Sequence, residues 1–112
     1  MAIFDPWSVI VVPFPFVDSR ETKRRPAVVL SPRAFQSAHG CAVLGMITDA
    51  RSGPWPSDVP LTDLPSAGLR FASVFRCKVF TLDAGLILGH IGVLARRDRV
   101  AVGRSLRAAM VR

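Results

Sequence analysis

The apolar residues of this chain are cut into short runs by nine prolines and eight glycines, and that punctuation constrains the fold more than any other feature. Short apolar runs bounded by turn formers suit strands, whereas a surface helix needs a 3.6-residue stripe carried over several turns. Residues 8–16 (SVIVVPFPF) make a first strand. Its far half, with Pro13 and Pro15, belongs at an edge or a bulge, because proline brings no N–H to a ladder. Residues 26–31 (PAVVLS) are continuous enough in apolar character for a sheet centre, and residues 41–47 (CAVLGMI) give a third strand with Gly45 as a bulge or bend. Residues 58–62 (DVPLT) form a short strand whose proline again suits an edge. Residues 69–81 (LRFASVFRCKVFT) read as one long bent strand or two short ones, and residues 90–94 as a last short strand. Between these runs, residues 17–24 and 49–56 are exposed loops, and residues 32–40 are a connection with room for one helical turn.

Helical periodicity is confined to the tail, over residues 97–110. Val102, Leu106, Ala109 and Met110 stand at i, i+4, i+7 and i+8, with Arg97, Arg104 and Arg107 on a separate face. Gly103 costs such a helix about 1 kcal/mol relative to Ala, so it must rely on packing. Five to seven short strands and one terminal helix predict a mainly β fold, a small and strongly curved sheet or barrel, and not a βαβ layout. At 112 residues, half of them hydrophobic, the chain has the size of one domain over 1–112 and can build a core without disulfides or a metal.

Charge narrows the partners. Fifteen Lys and Arg against eight Asp and Glu give +7, and thirteen of the fifteen are Arg. That excess favours a polyanion: nucleic acid, an anionic membrane surface or an acidic protein. The opening residues carry Asp5 and no basic segment, so export is not expected. No apolar stretch reaches the roughly 18 residues of a membrane span. A cytoplasmic location follows, with Cys41 and Cys77 as reduced, mostly buried thiols.

The inventory of reactive residues excludes several chemistries. Neither G-x-x-x-x-G-K-[S/T] nor G-x-G-x-x-G occurs, so neither usual phosphate-cradling loop is present, and there is no G-x-S-x-G elbow. His39 and His90 lie far apart beside Gly40 and Gly89 and read as turn or surface residues. The acids are scattered without metal-ligand spacing, so neither a metal nor another cofactor is expected. Planar cations remain. The run from Arg20 to Arg25 (RETKRR) ends on Pro26, which restricts the backbone of Arg25 to extended conformations. An arginine held at a loop–strand junction can aim a fork of donors at a phosphate; the alternative is a solvated charge run on a hairpin loop. Thr48, closing the third strand, is either a strand terminus or a hydroxyl placed on a phosphate or sugar oxygen.

At the level of these blocks the sequence resembles the MazF/PemK family of toxins from bacterial toxin–antitoxin pairs. The residues that carry the resemblance are VIVVPFPF at 9–16, KRRPAVVLS at 23–31, Ile47-Thr48, Gly68-Leu69 with Ser73-Val74, and Thr81-Leu82-Asp83. Their order and spacing follow the family pattern over nearly the whole chain. The resemblance implies a compact SH3-like barrel (the CcdB/MazF toxin fold) with a C-terminal helix, usually a homodimer. It also implies metal-independent endoribonuclease activity on single-stranded RNA at short sequences. The family's catalytic arginine, directly before the proline, is Arg25 here, and its catalytic threonine is Thr48. An RNA groove would be bordered by the two loops, with Arg20, Lys23 and Arg24 on the phosphate backbone and Phe16 or Trp55 stacking a base. A short, acidic antitoxin is the expected protein partner. The sequence departs from the family at Trp7-Ser8, Cys77-Lys78 and Leu86. These changes bear on RNA sequence preference and dimer packing and leave Arg25 and Thr48 intact. Two rival readings share the fold: a non-catalytic CcdB-like toxin, and a basic nucleic-acid-binding module.

Overall fold

The structure, a computed structural model, describes residues 2–14 and 23–111. Six strands form one antiparallel sheet: β1 (Ser8–Phe14), β2 (Lys23–Val29), β3 (Cys41–Asp49), β4 (Val59–Pro60), β5 (Ser73–Asp83) and β6 (Gly89–Val93). Their spatial order is β4-β5-β3-β2-β1-β6. Helix α1 (Arg33–His39) joins β2 to β3, α2 (Leu64–Ala67) joins β4 to β5, and α3 (Arg96–Ala109) ends the chain. The fold is mainly β, a curled half-barrel with a C-terminal helix, as the sequence led one to expect.

The unbroken apolar runs of β1 and β2 have a direct cause: both faces of the sheet centre are buried. Val9, Val28 and Ile47 point into one layer with Phe75, Leu94 and Val102 of α3. Their neighbours Ile10, Val12, Ala27, Val29 and Leu44 point into a second layer, closed by Phe4, Phe80, Leu82 and Ile87. Strand alternation therefore sends consecutive residues into different cores, and neither can be polar. Pro13 lies beyond the β1–β6 ladder, which covers Ser8 to Val11, so the missing N–H has no partner strand to disappoint on that side. Pro60 sits on the edge strand β4.

Curvature comes from β3 and β5. The register shifts between Gly45 and Met46, where β5 passes two extra residues, Cys77 and Lys78. A Cβ on Gly45 would collide with the ring of Phe75, so the bend also requires glycine to let that ring lie against the strand. Trp7 holds a left-handed backbone (φ 73°), which glycine adopts far more readily. Two main-chain bonds fix it there, from its N–H to the Val29 carbonyl (2.7 Å) and from the Leu94 N–H to its own carbonyl (3.0 Å).

Several expectations need correction. The connection after β2 is a full seven-residue helix, α1, fixed by the buried Gln36. That amide donates to the Phe4 carbonyl (2.7 Å) and accepts from the Phe4 N–H (3.0 Å), tying the N-terminal segment to the helix. The strand expected from residue 69 starts only at Ser73, because Gly68 turns the chain through a left-handed conformation (φ 72°) and residues 69–72 form a loop. Finally, only part of the predicted α3 stripe is inside. Val102 is buried and Leu106 packs on the core, while Met110 is exposed. The buried anchor the stripe missed is Asp98, whose carboxylate accepts from the Thr62 N–H (3.0 Å), the Thr62 hydroxyl (2.8 Å) and the Asp63 N–H (3.1 Å). Cys41 and Cys77 are free and half-buried, more open than expected.

Candidate active site

Proline opens the site. Strand β2 pairs with β3 from Val29↔Leu44 to Ala27↔Met46, and there the ladder stops, one residue short of Pro26. Pro26 has no N–H to extend it. Continued in the same register, the strands would place Arg25 opposite Thr48, but they have already parted. A cleft of about 190 Å³ occupies the gap. Arg24, Arg25 and Pro26 line it from β2, and Ile47, Thr48 and Asp49 from β3; its remaining wall is Leu69, Arg70, Phe71 and Ser73, from the loop into β5. The two residues singled out in sequence, 23 positions apart, thus share one cavity.

Thr48 is 5% exposed, and its hydroxyl has no hydrogen-bond partner among the described residues. It is nevertheless open to the cleft, since no buried side-chain polar atom among the described residues lacks a partner. Arg25 is half-buried, and its guanidinium likewise makes no hydrogen bond among the described residues. Both groups are thus available to a ligand.

The lining carries three arginines (Arg24, Arg25, Arg70) and one acid, Asp49. That acid is masked. The Arg51 guanidinium binds it twice (Nε to Oδ1 3.1 Å, a terminal nitrogen to Oδ2 2.8 Å), and the Arg51 N–H adds a third bond (2.8 Å). These bonds hold the Asp49 carboxyl down at about 2, so it is ionised yet matched by its own cation. The cleft presents an excess of positive charge and a hydroxyl with no partner among the described residues.

The other predicted residues fall elsewhere. Lys23 is exposed at the start of β2 and does not line the cleft. Phe16 and Arg20 lie outside the described residues. Trp55 is 40% exposed but stands apart from the cleft lining, with Arg76 5.2 Å and Lys78 5.1 Å from its ring. Arg70 and Phe71 were missed because they were read as strand residues. The signal for a loop was Gly68, immediately before them. Among the described residues no group of three or more His, Cys, Asp or Glu comes together as a metal site, and no helix is long and apolar enough to cross a membrane.

Residues 5–110 match the family model of PemK-like, MazF-like toxins of type II toxin–antitoxin systems. The chain belongs to this toxin family. Solved structures agree at the level of fold. MazF from Deinococcus radiodurans superposes with a TM-score of 0.76 at 20% identity, with 97% of each chain covered. A mycobacterial endoribonuclease in complex with its cognate antitoxin gives 0.74 at 14% identity, covering 97% of this chain and 94% of that one. The Mycobacterium tuberculosis toxin MazF-mt6 gives 0.72 at 20% identity, over 91% and 94%. A comparison with curated proteins gave no match.

Proposed function

We infer that this toxin is an endoribonuclease that cuts single-stranded RNA without a metal, in the cytoplasm, using the substrate's own 2′-hydroxyl as nucleophile. The observation that carries the reading is the pairing of Arg25 and Thr48, both without protein partners among the described residues, in one basic cleft. The 2′-oxygen gives up its proton and bonds to the adjacent phosphorus, the bond from phosphorus to the 5′-oxygen breaks, and that oxygen takes a proton. The products are a 2′,3′-cyclic phosphate and a 5′-hydroxyl. Holding the 2′-oxygen in line makes the attack intramolecular and removes much of its entropic barrier. Arg25, charged at any physiological pH, stabilises the negative charge that grows on the phosphoryl oxygens. Thr48 holds a phosphate oxygen or orients the attacking hydroxyl. Arg24 and Arg70 add electrostatic attraction that is indifferent to sequence.

The same positive cleft suits a short, acidic antitoxin. Leu86, Leu88, Ile91 and Val93 are exposed along β6 and the turn before it, an apolar strip that suits a second copy in a homodimer. The reading is tested by incubating purified protein with RNA, with and without EDTA, and determining the chemistry of the new ends. Cleavage unaffected by EDTA, leaving cyclic phosphate and 5′-hydroxyl ends, is expected. Tight RNA binding with no cleavage would favour a binding module of the same fold. Co-expression of the short acidic protein expected from the neighbouring gene should abolish cleavage.

A further inference from the structure

Phe71 is 69% exposed, more than any other large apolar side chain of the described residues except Val111 near the C-terminus. Leaving a phenyl ring in water forgoes the stabilisation its burial would bring, and the ring has no aromatic neighbour or cation over its face among the described residues. It is not on a loose loop. Gly68 turns so tightly that a Cβ there would strike the Ile91 carbonyl. The Leu69 N–H bonds the Leu64 carbonyl (2.9 Å), and the Leu69 side chain packs on the first core layer. The Ala50 N–H holds the Ala72 carbonyl (3.0 Å), and the Ser73 hydroxyl holds the carbonyl of Phe71 itself (2.7 Å). The backbone is fixed on both sides of a side chain that remains in solvent. The ring is therefore presented, at the wall of the cleft that holds Arg24, Arg25 and Thr48.

A planar apolar face next to phosphate-seeking cations matches a ligand that carries a flat ring and an anion on one short frame, which is a nucleotide. Resting on the reading above, we propose that Phe71 stacks the nucleobase adjoining the phosphate seated between Arg25 and Thr48, and so anchors the RNA there. Every base has a π-face, so a stacking platform supplies affinity that tolerates different bases. An acidic peptide could match the cations, but any aromatic ring it brings sits on a different residue from its charge.

The test uses an oligonucleotide that binds without being cut, with a single deoxyribose at the cleaved position, and two companions lacking the base on one or the other side of that phosphate. Phe71→Ala should weaken binding of the intact oligonucleotide by about 10-fold or more, with Phe71→Trp retaining it. On cleavable RNA, Phe71→Ala should raise KM much more than it lowers kcat. One of the two abasic oligonucleotides should bind wild type as weakly as the intact one binds Phe71→Ala, and removing both base and ring should cost little more than removing either. The thermal midpoint should not fall, since the ring is exposed. Phe71→Ala that binds and cleaves RNA like wild type overturns the proposal and leaves the nuclease reading standing, as does strict additivity of the two losses. Phe71→Ala that weakens only the complex with an acidic protein partner also overturns it, assigning the ring to that partner. A wild-type chain that neither binds nor cuts RNA overturns both readings.

Discussion

Two arginines next to strand β3 have opposite fates. Arg76, on β5, is 7% exposed, and two of its three nitrogens are engaged by protein: Nε to Asp58 Oδ1 (3.0 Å), and one terminal nitrogen to Asp58 Oδ2 (2.8 Å) and the carbonyls of Ser52 (3.1 Å) and Gly53 (2.7 Å). It lashes the β3–β4 loop to the sheet. Arg25, on β2, has no such partner among the described residues and faces a cleft with an open hydroxyl. The contrast teaches that an arginine's neighbours, not its identity, decide whether it is spent on the fold or kept for a ligand. A guanidinium whose donors are used by carboxylate and carbonyls cannot greet a phosphate without breaking the loop. One that is unpaired among the described residues, beside Pro26, can.

Breaking the contrast should give opposite phenotypes. Arg25→Ala should lower the cleavage rate by about 10²–10³, the usual cost of one preorganised donor to a developing oxyanion, while the thermal midpoint stays at the wild-type value. Thr48→Ala should fall in the same direction by a comparable or smaller factor. Arg76→Ala should do the reverse. It strands the Asp58 carboxylate, 11% exposed, at a cost of about 3 kcal/mol in stability, read by denaturant unfolding, with the folded fraction still cleaving RNA. If Arg76→Ala instead lost activity at unchanged stability, the division between the two arginines would be wrong.

Acid should sharpen the comparison. Hydrogen bonds from Arg76 hold the Asp58 carboxyl below its usual 3.8, and those from Arg51 hold Asp49 at about 2. A carboxylate with a depressed folded-state pKa contributes stability above the unfolded value, near pH 4, and loses it as pH falls through the folded one. Stability should therefore decline below about pH 4. Asp58→Asn should be less stable at neutral pH and decline less steeply in acid. An unchanged acid profile in Asp58→Asn would show that the brace does not form in solution. Gly45→Ala is the smallest expected effect. The added methyl pushes on Phe75, and overpacking of this kind costs roughly 1–3 kcal/mol.

Much of the fold was legible because it rests on patterns that local physics enforces. Two-sided burial wrote continuous apolar runs into β1 and β2, the bulge required Gly45, and the edge accepted Pro60. The meeting of Arg25 and Thr48 came from the family resemblance, while Pro26 explains physically why the strands part there. What stayed hidden depends on contacts between distant segments. Leu69, Phe71 and Ser73 alternate with Arg70 and Ala72 as a strand would, and only the close approach of Gly68 to Ile91 makes that stretch a loop. Asp98 looks like a surface residue until Thr62 arrives, 36 positions away, to donate to it. Arg76 sits in VFRCKVF like any strand residue, and nothing local says that Asp58 will meet it. Trp55 was read as a base platform from its loop, and what no local pattern announces is that Arg76 and Lys78 meet its ring.

On our reading, the cleft of Arg25 and Thr48 makes the RNA's own 2′-hydroxyl the nucleophile. A chimeric oligonucleotide with one deoxyribose on the 5′ side of the cleaved phosphate tests it most directly. The phosphates we assign to Arg24 and Arg70 are unchanged in the chimera, so it should bind as well as all-ribose RNA. It should resist cleavage completely, with or without EDTA, while the all-ribose control is cut. Cleavage of the deoxy-substituted phosphate, or a strict requirement for added divalent metal in the control, would contradict this mechanism even though the toxin fold stands.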